Sequence, residues 1–338
     1  MENETLRHWT EPVEPFLGPL YDVAKAFTGL TGVPVDLPTA LFLRADLTGL
    51  RPPGRVSAGG SCHLLETTDG WAAVNLARPD DLAAVPALVA LLGGAGTDEL
   101  HPAARRATAA DVAAHAQLLG IAAAALGSAR GTRAPVCAER GEAASPRDPA
   151  GLRIVDLSAL WAGPLCARLL GAAGARIVKV ESTTRPDGAR LGSPAFYHWL
   201  HEGHESRVLD FASGRLAEAV AAADVVIEAS RPRALRRLGV HAEEFLAARP
   251  GRVWLSITGY GRDEDRIAFG DDAAVAGGLT GLGRGGDPVF LGDALADPVA
   301  GIFAAHAVAR SLAAGGGELL CVSMAACAAA LADSADAR

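Results

Sequence analysis

The 338-residue chain is short of several features that would assign it at once. Its five cysteines (Cys62, Cys137, Cys166, Cys321 and Cys327) are odd in number, scattered and without CxxC spacing. No disulfide framework is implied, and they read as reduced, mostly buried thiols of a cytoplasmic protein. Half of the residues are apolar, yet no run of 18 uninterrupted apolar residues occurs, so no membrane span is expected. Positive charge is in deficit: the net charge is −8, with no long run of either sign. That argues against nucleic acid or an anionic membrane as the main partner, while local Arg and Lys residues could still hold a small anion. The N-terminal MENETLRHWTEPVEP is polar and acidic, unlike a signal peptide.

Other absences bear on cofactors. HWLHEGHE offers His198, His201 and His204, but it is not HExxH, Gly203 interrupts it and no cysteine lies nearby. It reads as a polar helix end, and no metal is expected. In GLRIVDLSALWAGPLCARLLGAAGARIVKVE (151–181), an apolar strand, a short loop, an apolar helix and a second strand form a βαβ unit. Glu181 at the end of the second strand invites a ribose-binding reading. The first loop holds a single glycine, however, and lacks the GxGxxG cradle for a pyrophosphate, so no nicotinamide cofactor is expected.

What is present divides at ERGEAASPRDPAG (139–151), which is charged, carries two prolines and has no hydrophobic period. Residues 1–140 read as a small α+β domain. It has a helix at 16–31, a hairpin over 61–77 turning at Thr68-Asp69-Gly70, and helices over DDLAAVPALVALLGG and TAADVAAHAQLLGIAAAALG, with 94–107 loop-like. Thr108 is a candidate N-cap, with Asp111 three residues on. Residues 149–338 alternate strand and helix, the pattern of an α/β, Rossmann-like doubly wound parallel sheet. Strands are expected at 207–211, 224–229, 253–257 and 319–322, and helices at 213–222, 233–248, 272–282, 297–313 and 324–334. The loop after the first strand lies at the carboxyl edge, where such sheets bind ligands.

Read without relatives, Asp297-Pro298 is a common helix start, with Asp297 as N-cap. Asp271 likewise reads as a cap for a helix beginning at 272. Trp161 reads equally as a half-buried packing residue or a ligand contact, and Arg190 and Arg237 as solvated arginines or phosphate ligands.

The segments LRIVDLSALWAGPLCARLLGAAGARIVKVE, RPDGAR (185–190), ADVVIEASRPRALRRLGV (223–240), VWLSITGYGR (253–262), FGDDAAVAGGLTG (269–281) and ADPVAG (296–301) follow one another in an order that resembles the class III CoA-transferase family. GGGELLCVSMAACAAAL (315–331) is similar to the strand and helix that follow its catalytic region. That family includes formyl-CoA and carnitine CoA-transferases and 2-methylacyl-CoA racemases. The resemblance implies coenzyme A or an acyl-CoA as substrate, a carboxylic acid as partner substrate, and a homodimer. It implies Asp297 as nucleophile, with Asp272 and Asp271 assisting. Trp161, Ala162, Arg190, Ala229, Ser230, Ala234 and Arg237 are implied around the CoA moiety.

Two departures stand out. The family continues beyond the point matched by Arg338, and TTDGWAAVNL (67–76) looks like a hairpin of its later small domain moved to the N-terminus. GHESRVLDF places His204 and Glu205 where the family commonly has a Lys-Arg pair, which weakens ordinary CoA phosphate binding. Asp271 falls where transferases often have Tyr and racemases His. A 2-substituted acyl-CoA racemase and a non-catalytic binding subunit are therefore the alternative readings.

Overall fold

The computed structural model describes residues 4–94 and 99–336. Strands β1 (Cys62–Glu66), β2 (Trp71–Asn75) and β3 (Ala122–Ala125) form an antiparallel sheet in that order. Further along the chain come β4 (Val136–Arg140), β5 (Arg153–Asp156), β6 (Arg176–Ser182), β7 (Glu205–Leu209), β8 (Val225–Glu228) and β9 (Val253–Thr258). A two-stranded ribbon, β10 (Gly281–Leu282) with β11 (Pro288–Val289), precedes β12 (Glu318–Ser323). The large sheet has the order β4-β12-β9-β8-β5-β6-β7 and is parallel apart from β4, which runs antiparallel to β12. Its six parallel strands have the doubly wound order, and the winding reverses between β5 and β8. This is a Rossmann-like α/β fold.

Alternation along the strands accounts for both layers. Ile154, Ile177, Val225, Ile227, Val253, Leu255 and Ile257 enter one core, beneath the helices Ala162–Ala172, Ala296–Ala313 and Met324–Asp336. Val155, Val178, Val180, Val226, Trp254 and Leu319 enter the opposite core, with Leu216, Val220 and Phe245. Small residues set the depth of the first layer: a Cβ on Gly301 would lie 2.6 Å from the Ala162 carbonyl oxygen, so the two helices meet at backbone distance. That approach fixes Asp297, one turn earlier, against the loop after β5.

Several boundaries differ from expectation. The segment TAADVAAHAQLLGIAAAALG is not one helix: it is helical from Ala109 to Leu118, Gly120 turns left-handed (φ +79°), and β3 follows. Alanine favours helix intrinsically, but β3 pairs with β2 along Ala122–Ala125 and three of its alanines are buried, so tertiary pairing overrides propensity. The expected helix at 233–248 is broken into Pro232–Arg236 and Ala242–Ala247, and that at 272–282 is the earlier, shorter Gly270–Ala276. A short helix, Leu100–Ala104, occupies part of the stretch read as loop, while residues 95–98 of that stretch lie outside the described residues. The turn at 67–70 joins β1 and β2, and Thr108 caps its helix through the Asp111 N–H at 3.1 Å.

The N-terminal 140 residues are spread over three cores, the smallest of which joins Cys62, Leu64 and Ala73 to Val275 and Phe290. The helices Glu4–Thr10, Gly18–Thr31 and Leu37–Thr48 share the core of the sheet-flanking helices, while β1–β3 with helices Pro79–Leu91 and Ala109–Leu118 enclose a second core. β4 belongs to the large sheet. The helix Leu37–Thr48 is thereby brought against the carboxyl-edge helices, with Asp36 capping it through the Thr39 N–H at 3.3 Å.

Lys179 of β6 is 1 % exposed and lies 2.9 Å from Asp187 and 3.7 Å from Asp156, both fully buried at the side chain. It also donates to the Ser158 carbonyl, and Asp187 accepts the Leu160 N–H at 2.9 Å, so this cluster shapes the loop that ends in Trp161. Lys179→Met is expected to cost about 3–5 kcal/mol, because two buried carboxylates lose the cation paired with them. Urea unfolding of the purified variant checks this, and an unchanged midpoint would refute it.

Candidate active site

The site forms where the first turn of the helix Ala296–Ala313, the start of the helix Gly270–Ala276 and the turn Gly292–Leu295 meet the loop after β5. Asp297 is not the N-cap expected for its helix. Leu295 is the cap residue and Asp297 lies in the first turn, where the helix dipole favours an anion. Ahead of it, Ala294 has φ +47°, a left-handed conformation that is strained for a residue with a Cβ. The Ala294 N–H donates to Asp271 Oδ1 at 3.0 Å, which ties the turn to the neighbouring helix. Asp297 is half-buried, and its carboxylate packs closely on the neighbouring helix start, where a Cβ on Gly270 would lie 2.6 Å from its Oδ2. Burial pushes it up to about 7; Arg44 and the Gly270 N–H pull it down, and Asp271 and Asp293 push it further up.

The two adjacent acids part company. Asp271 belongs with Asp297: it is 7 % exposed, and burial and then Asp293 raise it to about 6 against the opposing effects of Arg44, the Ala294 N–H and the Ser57 hydroxyl. Asp272 faces the other way. It is fully buried and accepts the Phe269 N–H at 2.9 Å and the Asn75 amide at 3.2 Å, and burial pushes it up to about 8. The helix begins at Gly270, so the acid that caps it is Asp272 at the third position, and not Asp271 as expected.

Trp161 and Ala162 are 1 % and 3 % exposed, at the start of the helix Ala162–Ala172. Trp161 meets Phe196 edge-on at 5.0 Å, and the Arg44 guanidinium lies over its ring at 4.8 Å. Its indole Nε1 is buried with no hydrogen-bond partner among the described residues. Ala229 and Ser230 follow β8 at the switch point. Ala229 is exposed, and the Ser230 hydroxyl donates to Glu228 at 2.8 Å. Ala234 and Arg237, on the short helix beyond, are exposed.

Arg190 is elsewhere, at the end of β6. It grips Glu181 at 2.6 Å and covers the Tyr197 ring at 4.4 Å. Burial would raise Glu181, but Arg190 and the Asp187 N–H hold it at about 2, so this glutamate is an ion-pair partner. Arg190 borders a cavity of about 400 Å³ with Lys179, His201 and His204. No group of three or more His, Cys, Asp or Glu side chains among the described residues is placed to hold a metal ion.

Arg44, Asp293 and Ser57 of the cluster escaped the sequence reading. Arg44 donates through Nε to Asp293 Oδ2 at 2.7 Å and through Nη2 to Oδ1 at 2.5 Å, and Asp293 is fully buried. Asp293 could have been found as a third acid four residues before Asp297. Arg44, 249 positions away from it, carries no local signal.

A CoA-transferase family III model matches residues 150–335, more than half of the chain and the whole parallel sheet. The chain belongs to CoA-transferase family III. This family member is 28 % identical over 184 residues to a succinate–glutarate CoA-transferase of Agrobacterium fabrum, covering 48 % of the chain and 46 % of that protein. It is 33 % identical over 181 residues to the beta subunit of a succinyl-CoA–L-malate CoA-transferase of Chloroflexus aurantiacus, covering 48 % and 44 %. The chain thus spans less than half the length of these curated relatives. Among solved structures, a CAIB/BAIF family protein from Brucella suis is 27 % identical with a TM-score of 0.50, covering 55 % of each chain. Arg44 and Ser57 lie outside the region matched by the family model.

No helix among the described residues is long and apolar enough to cross a membrane.

Proposed function

We propose that this family member moves CoA between carboxylic acids, with Asp297 as the nucleophile, acting as a homodimer in the cytoplasm. The half-buried Asp297 carboxylate at a helix N-terminus, beside Asp271, Asp293 and the Arg44 guanidinium, carries the reading. Free cysteines throughout the described chain suit the compartment. The named activities of the relatives support CoA exchange as the reaction class.

The Asp297 carboxylate attacks the thioester carbonyl, the C–S bond breaks, and CoA leaves as thiolate from a mixed anhydride. The thiolate then attacks the aspartyl carbonyl and expels the donor as its carboxylate, leaving an aspartyl-CoA thioester. An acceptor carboxylate attacks that carbonyl and releases thiolate. Return of the thiolate to the acceptor's carbonyl yields the new acyl-CoA and frees Asp297. Dividing one exchange into four acyl transfers lowers each barrier. Asp271, anchored to the Ala294 N–H, fixes the turn, and burial raises it to about 6. Trp161 and Ala162 stand at the start of the helix Ala162–Ala172, while Ala229, Ser230, Ala234 and Arg237 offer a small, open surface with one cation for the CoA chain. Asp272 acts through the helix it caps.

The test is incubation with succinyl-CoA followed by hydroxylamine and peptide mass spectrometry. A hydroxamate on Asp297 is the expected product, and unmodified Asp297 together with deuterium uptake at the acyl α-carbon would replace transfer with racemisation.

A further inference from the structure

We propose that Arg44 is a positioning residue for Asp297: locked on Asp293 and laid over Trp161, its guanidinium pins the turn before Asp297 and supplies the fixed charge that favours the attacking carboxylate. The role rests on Asp297 being the nucleophile. Arg44 comes from the helix Leu37–Thr48, outside the family match, so a region beyond the recognisable half of the chain completes the site.

The geometry supports this in three ways. The bidentate fork to Asp293, at 2.7 and 2.5 Å, is an arrangement that only the planar guanidinium can make, and it fixes the guanidinium in position and orientation. Asp293 is followed directly by the left-handed Ala294, so the clamp restrains the strained peptide that sets the helix start at Asp297. Trp161 covers one face of the guanidinium at 4.8 Å and holds it by a cation–π contact, while the Arg44 side chain as a whole stays 33 % exposed. Around Asp297, the charged groups are Asp271 from the helix Gly270–Ala276, Asp293 from the turn and Arg44 from the N-terminal helix, with the Gly270 N–H as a further donor. Three carboxylates thus share one cation. Without it, ionising all three side by side is strongly opposed.

The experiment is a ¹³Cγ-aspartate NMR titration of the full chain, with the Asp297 signal assigned by its loss in D297N. D293N removes an anion and is expected to move the Asp297 titration to lower pH. R44Q/D293N, which removes the ion pair without leaving Asp293 as an unpaired partner, is expected to titrate about one unit above D293N, roughly tenfold in the ionisation constant. R44Q alone should titrate above wild type, and R44K should lie between them. Coincident titrations of D293N and R44Q/D293N would overturn the proposal, as would shifts of one sign in both D293N and R44Q. In hydroxylamine trapping, R44Q should lose about tenfold at pH 6 and less than about threefold at pH 9, where Asp297 ionises unaided. An equal loss at both pH values would mark a merely structural role. Titrations that shift as expected in a wild type that never forms the adduct would retain the electrostatic role of Arg44 and overturn the nucleophile reading.

Discussion

Asp297→Asn is expected to reduce CoA exchange by at least about 10³-fold, because the amide cannot form the anhydride on which every later transfer depends. Asp271 cannot take over: its Oδ1 already receives the Ala294 N–H, and its carboxylate braces the turn from the neighbouring helix. Stability should move the other way. Burial places Asp297 at about 7 in the folded chain, above its ordinary value. The folded state therefore favours the protonated form, and ionising Asp297 weakens folding as pH rises through about 7. Asparagine removes that cost, so D297N should melt at or above the wild-type temperature, most clearly above pH 7. The same sign governs rate: wild-type exchange should climb as pH passes through about 7 and the nucleophile ionises. Initial rates and thermal melts at pH 6 and pH 8.5 check both halves. A stable D297N with full activity would remove Asp297 from the chemistry, and an unstable one would make it a helix-start residue.

The sheet was legible because its strands are apolar runs alternating with helical segments, and the loop at Trp161 because it follows the first of them. Asp297 was legible as a candidate because ADPVAG (296–301) resembles a family segment. The roles of Asp271 and Asp272 were not, since they turn on one residue of helix phase. Successive residues on a helix point about 100° apart, so beginning at Gly270 sends Asp271 towards Ala294 and Asp272 towards Asn75. Beginning one residue later would change which acid meets the turn. The alanine strand β3 was hidden because its pairing partner, and not its composition, makes it a strand. For Arg190 the sequence leaves a solvated arginine and a phosphate ligand open, and does not show its ion pair with Glu181, nine residues earlier. Arg44 is the extreme case: nothing within its own helix Leu37–Thr48 records that its partner is Asp293.

Gly270→Ala carries the other large effect, and its sign opposes helix propensity. In an ordinary helix this change would stabilise by about 1 kcal/mol. Here the added Cβ would lie 2.2 Å from the Ala294 carbonyl oxygen and 2.6 Å from Asp297 Oδ2. Neither can yield cheaply. Ala294 is already left-handed, and the Asp297 carboxylate accepts the N–H of Gly270 itself. Separating them pushes the turn away from the helix, stretches the Ala294 N–H bond to Asp271 and moves the nucleophile from its place against the Trp161 loop. A loss of about 1–3 kcal/mol is expected from overpacking. Because a displacement near 1 Å is costly to a reacting group, exchange should also fall by about 100-fold. Urea unfolding and initial rates on G270A separate these effects. Near-normal stability with lost exchange would mean that the turn yields locally and takes Asp297 with it. A stabilised and fully active variant would show that helix and turn do not meet at backbone distance, and the burial that raises Asp297 would lose its structural basis.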